Sequence, residues 1–272
     1  MFAIKRILSA TIAVALLLPT AAFAHGYWLE ADNFFLKLGQ STALHLFVGE
    51  GLKRDEEMPY QARKTNSFQM FSTTGKFDMR TMAEDEVKPL VNFSADTAGT
   101  FVVSMERDWS FITLKADEFD AYLREEGMEY IIAERERLKE SKTPARERYS
   151  RFLKTLIQVG DNRTGNAKAR LGSRLEIVPL DNPYSKKTGD KLGFQVFFDG
   201  RPLARTAVFA DNRDGESISA QKLTTDADGK LTVKLDRKGV WLVRLVHMQR
   251  CEKNCRDADW ESFWGSLSFG MN

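Results

Sequence analysis

Residues 41–48 read Ser-Thr-Ala-Leu-His-Leu-Phe-Val, and Gly49 ends the run. Side chains of opposite character alternate along it, which is the pattern of a strand with one face against a core. Residues 101–105 and 111–114 are further short β-prone runs, separated from their neighbours by polar turns. Strands of this length and spacing predict an antiparallel β-sandwich over residues 25–116.

A helical insert is predicted over residues 117–160. Asp117 is suited to cap a first helix, because Glu118 and Asp120 then place acids in its first turn. The pair Thr143-Pro144 predicts the start of a second helix, along which apolar residues recur at helical spacing. Those apolar positions are Tyr149, Phe152, Leu153, Leu156 and Ile157. The Arg and Lys residues between them are interpreted as the solvated face of that helix.

The polar, glycine-containing residues 161–172 are predicted to be a linker. Beyond them, strand patterns resume over residues 173–272, with the clearest runs at 192–198 and 241–247. The sequence therefore predicts a mostly β fold with a helical insert and two β-sandwich domains.

The first 24 residues have the pattern of a cleavable secretory signal peptide. A basic start is followed by an apolar run over residues 7–18 and then by small residues at Ala22 and Ala24. The run is shorter than the roughly 20 residues of a membrane-spanning helix. We expect cleavage after Ala24, a mature periplasmic protein that begins at His25, and no integral membrane segment in it.

Cleavage also changes the charge balance. The chain has 40 basic and 38 acidic residues, and removal of Lys5 and Arg6 leaves 38 of each. A formally neutral mature chain has no domain-wide positive field to attract nucleic acid, so no nucleic-acid partner is expected.

No motif for a known hydrolytic or nucleotide-dependent activity occurs in the sequence: there is no Gly-x-Ser-x-Gly, no phosphate-binding loop and no His-Glu-x-x-His. We therefore expect a protein that is not an enzyme. The acid clusters at residues 84–86 and 125–126 are interpreted as solvated surface. Trp260, Phe263 and Trp264 are either a sugar-stacking platform or core anchors for the last strand.

Three histidines are the candidate metal ligands: His25, His45 and His247. As the first residue, His25 would offer its α-amine and its ring nitrogen together, and a bound metal readily deprotonates that amine. One further imidazole would complete a three-nitrogen set suited to Cu(II) or Ni(II). Taken alone, His45 and His247 each lie on an apolar strand face, where a histidine is more often a core residue with a satisfied hydrogen bond than a ligand. Four methionines, which are either Cu(I) ligands or packing residues, are Met58, Met70, Met82 and Met248.

Both cysteines lie in the segment Cys251-Glu-Lys-Asn-Cys255. In an oxidising compartment this spacing predicts a local disulfide that closes a small loop. A metal or redox role is the alternative, although the sequence supplies no companion ligands in the usual spacing.

Several segments along nearly the whole mature chain match one family in order and combination. They are residues 25–30 (HGYWLE), 48–51 (VGEG), 116–127, 145–151 with Lys154, 175–183 (LEIVPLDNP), 199–203 (DGRPL), 225–229, 239–244 with 246–248 (VHM), and 258–264 (ADWESFW). Together they resemble the periplasmic domain of unknown function family 4198, which is described as similar to the periplasmic component of cobalt- or nickel-type ABC uptake systems.

The resemblance implies immunoglobulin-like or carboxypeptidase-regulatory-like sandwiches and an association with transition-metal uptake or handling. Of the histidines, His25 and His247 occupy positions that match the family's motifs. The function expected is that of an exported carrier of nickel, cobalt or copper, whose partners are the metal ion and a membrane metal transporter.

Two alternatives remain open at the level of sequence. One is a structural or ligand-binding envelope protein without a metal, which widely separated imidazoles would favour. The other is a copper-dependent oxidase that uses the N-terminal His chelate, which an exposed flat aromatic surface around His25 would favour.

Overall fold

The computed structural model describes residues 25–272, so the predicted signal peptide lies outside the described residues. Strands predominate in the described part, which confirms the mostly β fold with a helical insert. The insert contains α1 (Ala116–Glu125) and α2 (Glu129–Arg137). Within residues 25–272, neither helix has the length and hydropathy of a membrane-spanning segment.

The strands are numbered in chain order. Those before and within the insert are β1 (Gly26–Ala31), β2 (Phe35–Leu36), β3 (Ser41–Glu50), β4 (Lys53–Met58), β5 (Thr65–Ser72), β6 (Gly75–Asp78), β7 (Val91–Ser94), β8 (Gly99–Leu114) and β9 (Ala145–Val159). Those after it are β10 (Leu175–Pro179), β11 (Lys191–Phe198), β12 (Arg201–Pro202), β13 (Ala207–Asp214), β14 (Ser217–Thr224), β15 (Lys230–Lys234), β16 (Gly239–Arg250) and β17 (Trp260–Met271).

Within residues 25–272 these strands form three sheets. The central sheet has the order β14-β13-β16-β17-β9-β8-β5-β6, and β2 also pairs with β9. A first small sheet joins β1, β4 and β7 to β3, and a second joins β10, β12 and β15 to β11. Neighbours are antiparallel except at β17–β9 and β2–β9, which are parallel. The central sheet therefore combines strands from both predicted sandwich regions.

The centre of this sheet is covered on both faces. Every residue of β17 is buried. The Ser268 hydroxyl donates to the Leu29 carbonyl of the first small sheet, while the ring of the next residue, Phe269, lies 6.3 Å from that of Phe194 in the second. Successive side chains of a strand point to opposite faces, so the two small sheets cover opposite sides of the central one.

The prediction of a second helix after Thr143-Pro144 is wrong, because residues 145–159 form β9. Ten successive residues, 150–159, are buried, since β9 lies between β8 and β17 in the doubly covered sheet. A strand buried on both faces shows no alternation, and its apolar positions can then match a helical period by chance. The two cations of this buried stretch are not solvated either: Arg151 and Lys154 are each about 6% exposed.

Helix α1 is docked by its apolar side, which fixes where its end lies. The Tyr122 ring is stacked 5.9 Å from Trp264 of β17, and Phe119 is fully buried. The N-cap is Lys115 rather than Asp117, and Glu118 accepts a hydrogen bond from the Lys115 backbone N–H at 3.0 Å.

Candidate functional site

An open cleft lies beside His25, where the first small sheet, the end of α1 and the central sheet meet. It measures about 480 Å³ with the solvent at its mouth included. Its lining consists of His25, Gly26, Gly49, Glu50, Gly51, Tyr122, Glu125, Glu126 and Arg244. His25 directly precedes β1, and Gly26 pairs with Gly49 at the end of β3. The strand pairing therefore brings His25 to the turn that carries Glu50.

Glycine is required in this turn. A Cβ on Gly49 would lie 1.9 Å from the Lys53 carbonyl oxygen, so only glycine allows β4 to approach so closely. The next glycine, Gly51, has φ +51°, in the left-handed region that a side chain disfavours. The motif Gly49-Glu50-Gly51 therefore forms a tight turn that places the Glu50 carboxylate at the cleft.

Arg244 is neutralised at the floor of the cleft. Its Nε donates to Asp211 at 2.7 Å, and its Nη1 donates to Glu126 at 3.2 Å. Burial raises the pKa of Glu126 while Arg244 lowers it, and the same two causes act in the same order on Asp211. The sequence interpretation of Glu126 as solvated surface is wrong, because only 12% of its side chain is exposed.

Glu50 and Glu125 stand at the mouth without such a partner in the cleft. Burial raises the pKa of Glu125, and the neighbouring Glu50 carboxylate raises it further, by its charge and by a shared hydrogen bond. Arg244 and His25 lower the same pKa by smaller amounts. Because the two carboxylates repel one another, a cation bound between them and the imidazole would relieve that repulsion.

The His25 ring is accessible. Its Nε2 lies 3.5 Å from Asp55 Oδ2, and about 41% of the His25 side chain is exposed. The imidazole is thus held by one partner at the surface, and its other nitrogen is available to a ligand.

His45 lies elsewhere on the same sheet. Gly26 pairs with Gly49 and Glu30 pairs with His45, so five positions separate His25 from His45 along the strands, or about 17 Å. The ring stacks on Phe47 at 5.4 Å. Its Nδ1 hydrogen-bonds Glu57 at 2.7 Å, and its Nε2 lies 3.0 Å from Asp32 without the alignment of a hydrogen bond.

His247 faces the opposite side of the central sheet. The preceding residue, Val246, lines the inner end of the cleft beside Gly26, so the His247 side chain points away from it. The His247 ring lies 4.4 Å from Phe198 and 6.4 Å from Tyr130. This burial lowers the pKa of His247 to about 4.

The structure therefore does not bring the three predicted histidines together. Among residues 25–272, no three His, Cys, Asp or Glu side chains converge with the geometry of a metal site. The residues that do accompany His25 are Glu50, Glu125 and Glu126, which sequence reasoning missed. The signal that could have identified Glu50 is its position between two glycines at the end of an alternating strand.

The remaining sequence candidates have structural positions. The Cys251 and Cys255 sulfurs lie 2.19 Å apart, at disulfide distance, as predicted. Arg148 fixes their loop by donating to the Lys253 and Asn254 carbonyls at 2.9 and 3.2 Å. The aromatic residues proposed as core anchors are buried to 5% exposure or less, which excludes them as a sugar-stacking surface. They are Trp260, Phe263 and Trp264.

Comparison with known proteins gives one family. No curated protein matches the chain. A solved structure of the three N-terminal domains of the bacteriophage RB49 Highly Immunogenic Outer Capsid protein (Hoc) matches at 11% identity. The match covers 90% of this chain and 59% of that one with a TM-score of 0.16, a likeness too low to carry a conclusion. A family model matches residues 22–249, so the chain belongs to the family described as Domain of unknown function (DUF4198).

Proposed function

We propose that this protein is an exported periplasmic carrier of a divalent transition metal, which it holds at His25 and passes to a membrane metal transporter. The metal would be bound by the α-amine and imidazole of His25 and by the Glu50 or Glu125 carboxylate. The observation that carries the proposal is the position of His25 at the mouth of a cleft whose outer carboxylates, Glu50 and Glu125, lie beside it, while Arg244 donates its hydrogen bonds to Asp211 and Glu126.

The donor set fits nickel, cobalt or copper. The amine and ring of one N-terminal histidine form a chelate of two nitrogens, and imidazole suits all three metals. A carboxylate supplies the charge that offsets a divalent cation. Affinity at such a site is expected to follow Co(II) < Ni(II) < Cu(II). Ligand protons must leave on binding, so binding should strengthen as pH rises.

The separation of His25, His45 and His247 favours the non-metal structural or ligand-binding alternative over any site built from three imidazoles. It leaves the metal proposal in one form, the His25 chelate with carboxylates. The oxidase alternative has less support, because the aromatic residues along the cleft form no flat exposed platform: Trp28, Tyr122 and Trp264 are buried. The remaining ring, Tyr27, is partly buried and stacks on the Arg151 guanidinium at 3.9 Å.

The test is titration of the mature chain, beginning at His25, with Ni(II), Co(II) and Cu(II). A matched form begins at Ala21 and has the same residues thereafter, so its amine is four residues away from the imidazole. We expect the mature chain to bind one equivalent at least about tenfold more tightly than the extended form, a difference of 1.4 kcal/mol or more.

Point variants test the carboxylates. Glu50→Gln and Glu125→Gln should each weaken binding, whereas Glu84→Gln, at an exposed residue outside the cleft, should leave it unchanged. Equal affinity of the mature and extended forms would overturn the chelate, and the non-metal alternative would then stand.

A further inference from the structure

A second pocket opens at the other end of the first small sheet, far along the chain from His25. It measures about 490 Å³ with its open mouth included and lies between the β5–β6 hairpin, the turn after it and β7. Its lining consists of Met70, Phe77, Met79, Met82, Phe93 and Ser94. Three methionines thus share one opening.

Local backbone geometry brings these three side chains together. Met70 of β5 pairs with Phe77 of β6, so the two side chains are cross-strand neighbours on one face. A 3-10 turn follows at Met79–Thr81, and the Met82 N–H donates to the Met79 carbonyl at 3.0 Å. Residues three apart in such a turn lie on the same side, which stacks Met82 over Met79.

No charged side chain lines this pocket. The nearest guanidinium on the same turn, Arg80, is held by both carboxylate oxygens of Asp78, with Nη2–Oδ2 at 2.7 Å and Nε–Oδ1 at 3.0 Å. The Asp78 side chain also accepts from the Arg80 backbone N–H, which fixes the turn. A cation entering the pocket would meet thioethers and aromatic rings without a repelling charge.

The three methionines of the pocket differ in exposure. Met105 and Met128 fill the cores, with 0% and 1% of their surfaces exposed. In the pocket, Met79 at 1% forms the floor, Met70 is partly buried and Met82 at the rim is 53% exposed. Met79 is part of the core, whereas the exposed Met82 places a flexible, polarizable thioether at the opening above it.

From this arrangement we propose that the Met70, Met79 and Met82 thioethers bind a soft monovalent cation, Cu(I), at a site separate from His25. Thioether sulfur selects Cu(I) over divalent nickel, cobalt or zinc, which prefer nitrogen or thiolate ligands. Three neutral sulfurs suit a singly charged ion, because a divalent one would need compensating negative charge in this apolar lining.

The experiment uses the mature chain under anaerobic, reducing conditions. Cu(I) is titrated in competition with a chromogenic Cu(I) chelator, and Ag(I) serves as a redox-inert substitute. Methionine methyl groups labelled with ¹³C report which side chains respond. We expect one equivalent bound, with methyl shifts confined to Met70, Met79 and Met82.

Variants separate this site from the first. The double variant Met70→Leu/Met82→Leu keeps apolar volume and should weaken Cu(I) binding by more than about 100-fold, beyond the loss expected for a residue outside the ligand shell. Met128→Leu is the matched control, and His25→Ala should retain the Cu(I) site. If the double variant does not fold, the single variant Met82→Leu, at an exposed residue, replaces it in the Cu(I) titration.

Unchanged Cu(I) affinity in these Leu variants, or no stoichiometric binding of Cu(I) and Ag(I) by the folded wild-type chain, would overturn the proposal. Neither result bears on His25, whose test uses divalent metals and the extended N-terminus.

Discussion

The buried ion pair between Lys154 of β9 and Glu176 of β10 provides a sharp test of the fold. Lys154 Nζ lies 2.5 Å from Glu176 Oε1, and the two side chains are 8% and 0% exposed. Burial lowers the pKa of Lys154, while Glu176 acts to raise it. Glu176 also accepts from the backbone N–H groups of Leu171 and Gly172, at 2.5 and 3.3 Å. The pair therefore joins the central sheet to the predicted linker and to the second small sheet.

The variant Glu176→Gln keeps the shape and one acceptor oxygen but leaves a buried ammonium without its counter-ion. Removal of one partner of a buried pair costs about 3–5 kcal/mol in unfolding free energy. At about 2–4 °C per kcal/mol for a chain of this size, the melting temperature should fall by about 6–20 °C. The measurements are urea unfolding followed by tryptophan fluorescence and thermal unfolding followed by circular dichroism.

Two controls make the result specific. Lys186→Ala removes a surface pair with Asp181, whose side chains are 23% and 60% exposed, and should cost less than about 1 kcal/mol. The double variant Lys154→Met/Glu176→Gln removes the uncompensated charge and should recover most of the loss. A cost below about 1 kcal/mol for Glu176→Gln, or no recovery in the double variant, would refute the buried pairing.

Three further results are expected. Burial raises the pKa of Glu147 to about 7; the folded chain then binds more protons than the unfolded chain above about pH 4.5, so stability falls as pH rises towards 7. Glu147→Gln should remove this pH dependence of the unfolding free energy and be more stable than wild type at pH 7.5 by about 3 kcal/mol. The same pH dependence of the unfolding free energy in both proteins between pH 5 and 7.5 would contradict this. Because the pKa of His247 is lowered to about 4, its ring signals in NMR should not titrate above about pH 5.5. His247→Phe should lose less stability than wild type as the pH falls from 6.5 to 4, and an NMR titration midpoint near 6.5 for His247 would disprove its burial. Ni(II) or Cu(II) at 100 times Kd should stabilise the mature chain by about 2.7 kcal/mol and raise its melting temperature by about 5–11 °C, reversibly with a chelator. At the same metal concentration the form extended to Ala21 should be stabilised by no more than about 1.4 kcal/mol, and the same shift in both forms would exclude the His25 chelate.

The local pattern predicted the strands well where one face meets solvent or a turn follows. Residues 41–48 form β3 as their alternation indicates, and the segment at 192–198 lies in β11. Pattern failed for β9, where burial on both faces removes the alternation that identifies a strand. The charges of Arg151 and Lys154 favoured the wrong interpretation, because charged residues are usually solvated. Their partners are distant in sequence: Lys154 pairs with Glu176, and the Arg151 guanidinium lies 3.9 Å from the ring of Tyr27.

The candidate site was predictable in one residue only. The signal-peptide pattern singled out His25, since it depends on adjacent residues alone. Glu125 and Glu126 are a hundred positions away in sequence and reach the cleft because α1 docks on Trp264. His247 illustrates the opposite case: its position in a motif drew attention, but the two-residue period of β16 turns it to the far side of the sheet.

By itself the sequence determined the β-rich character of the chain and the pairing of Cys251 with Cys255, because each depends on residues a few positions apart. The tertiary structure alone decided that one central sheet joins both halves, that the three imidazoles lie apart, and that carboxylates accompany His25 and thioethers gather around Met79. The physical reason is that strand pairing and the burial of both sheet faces are long-range effects, whose outcome is set by partners that no short window of sequence contains.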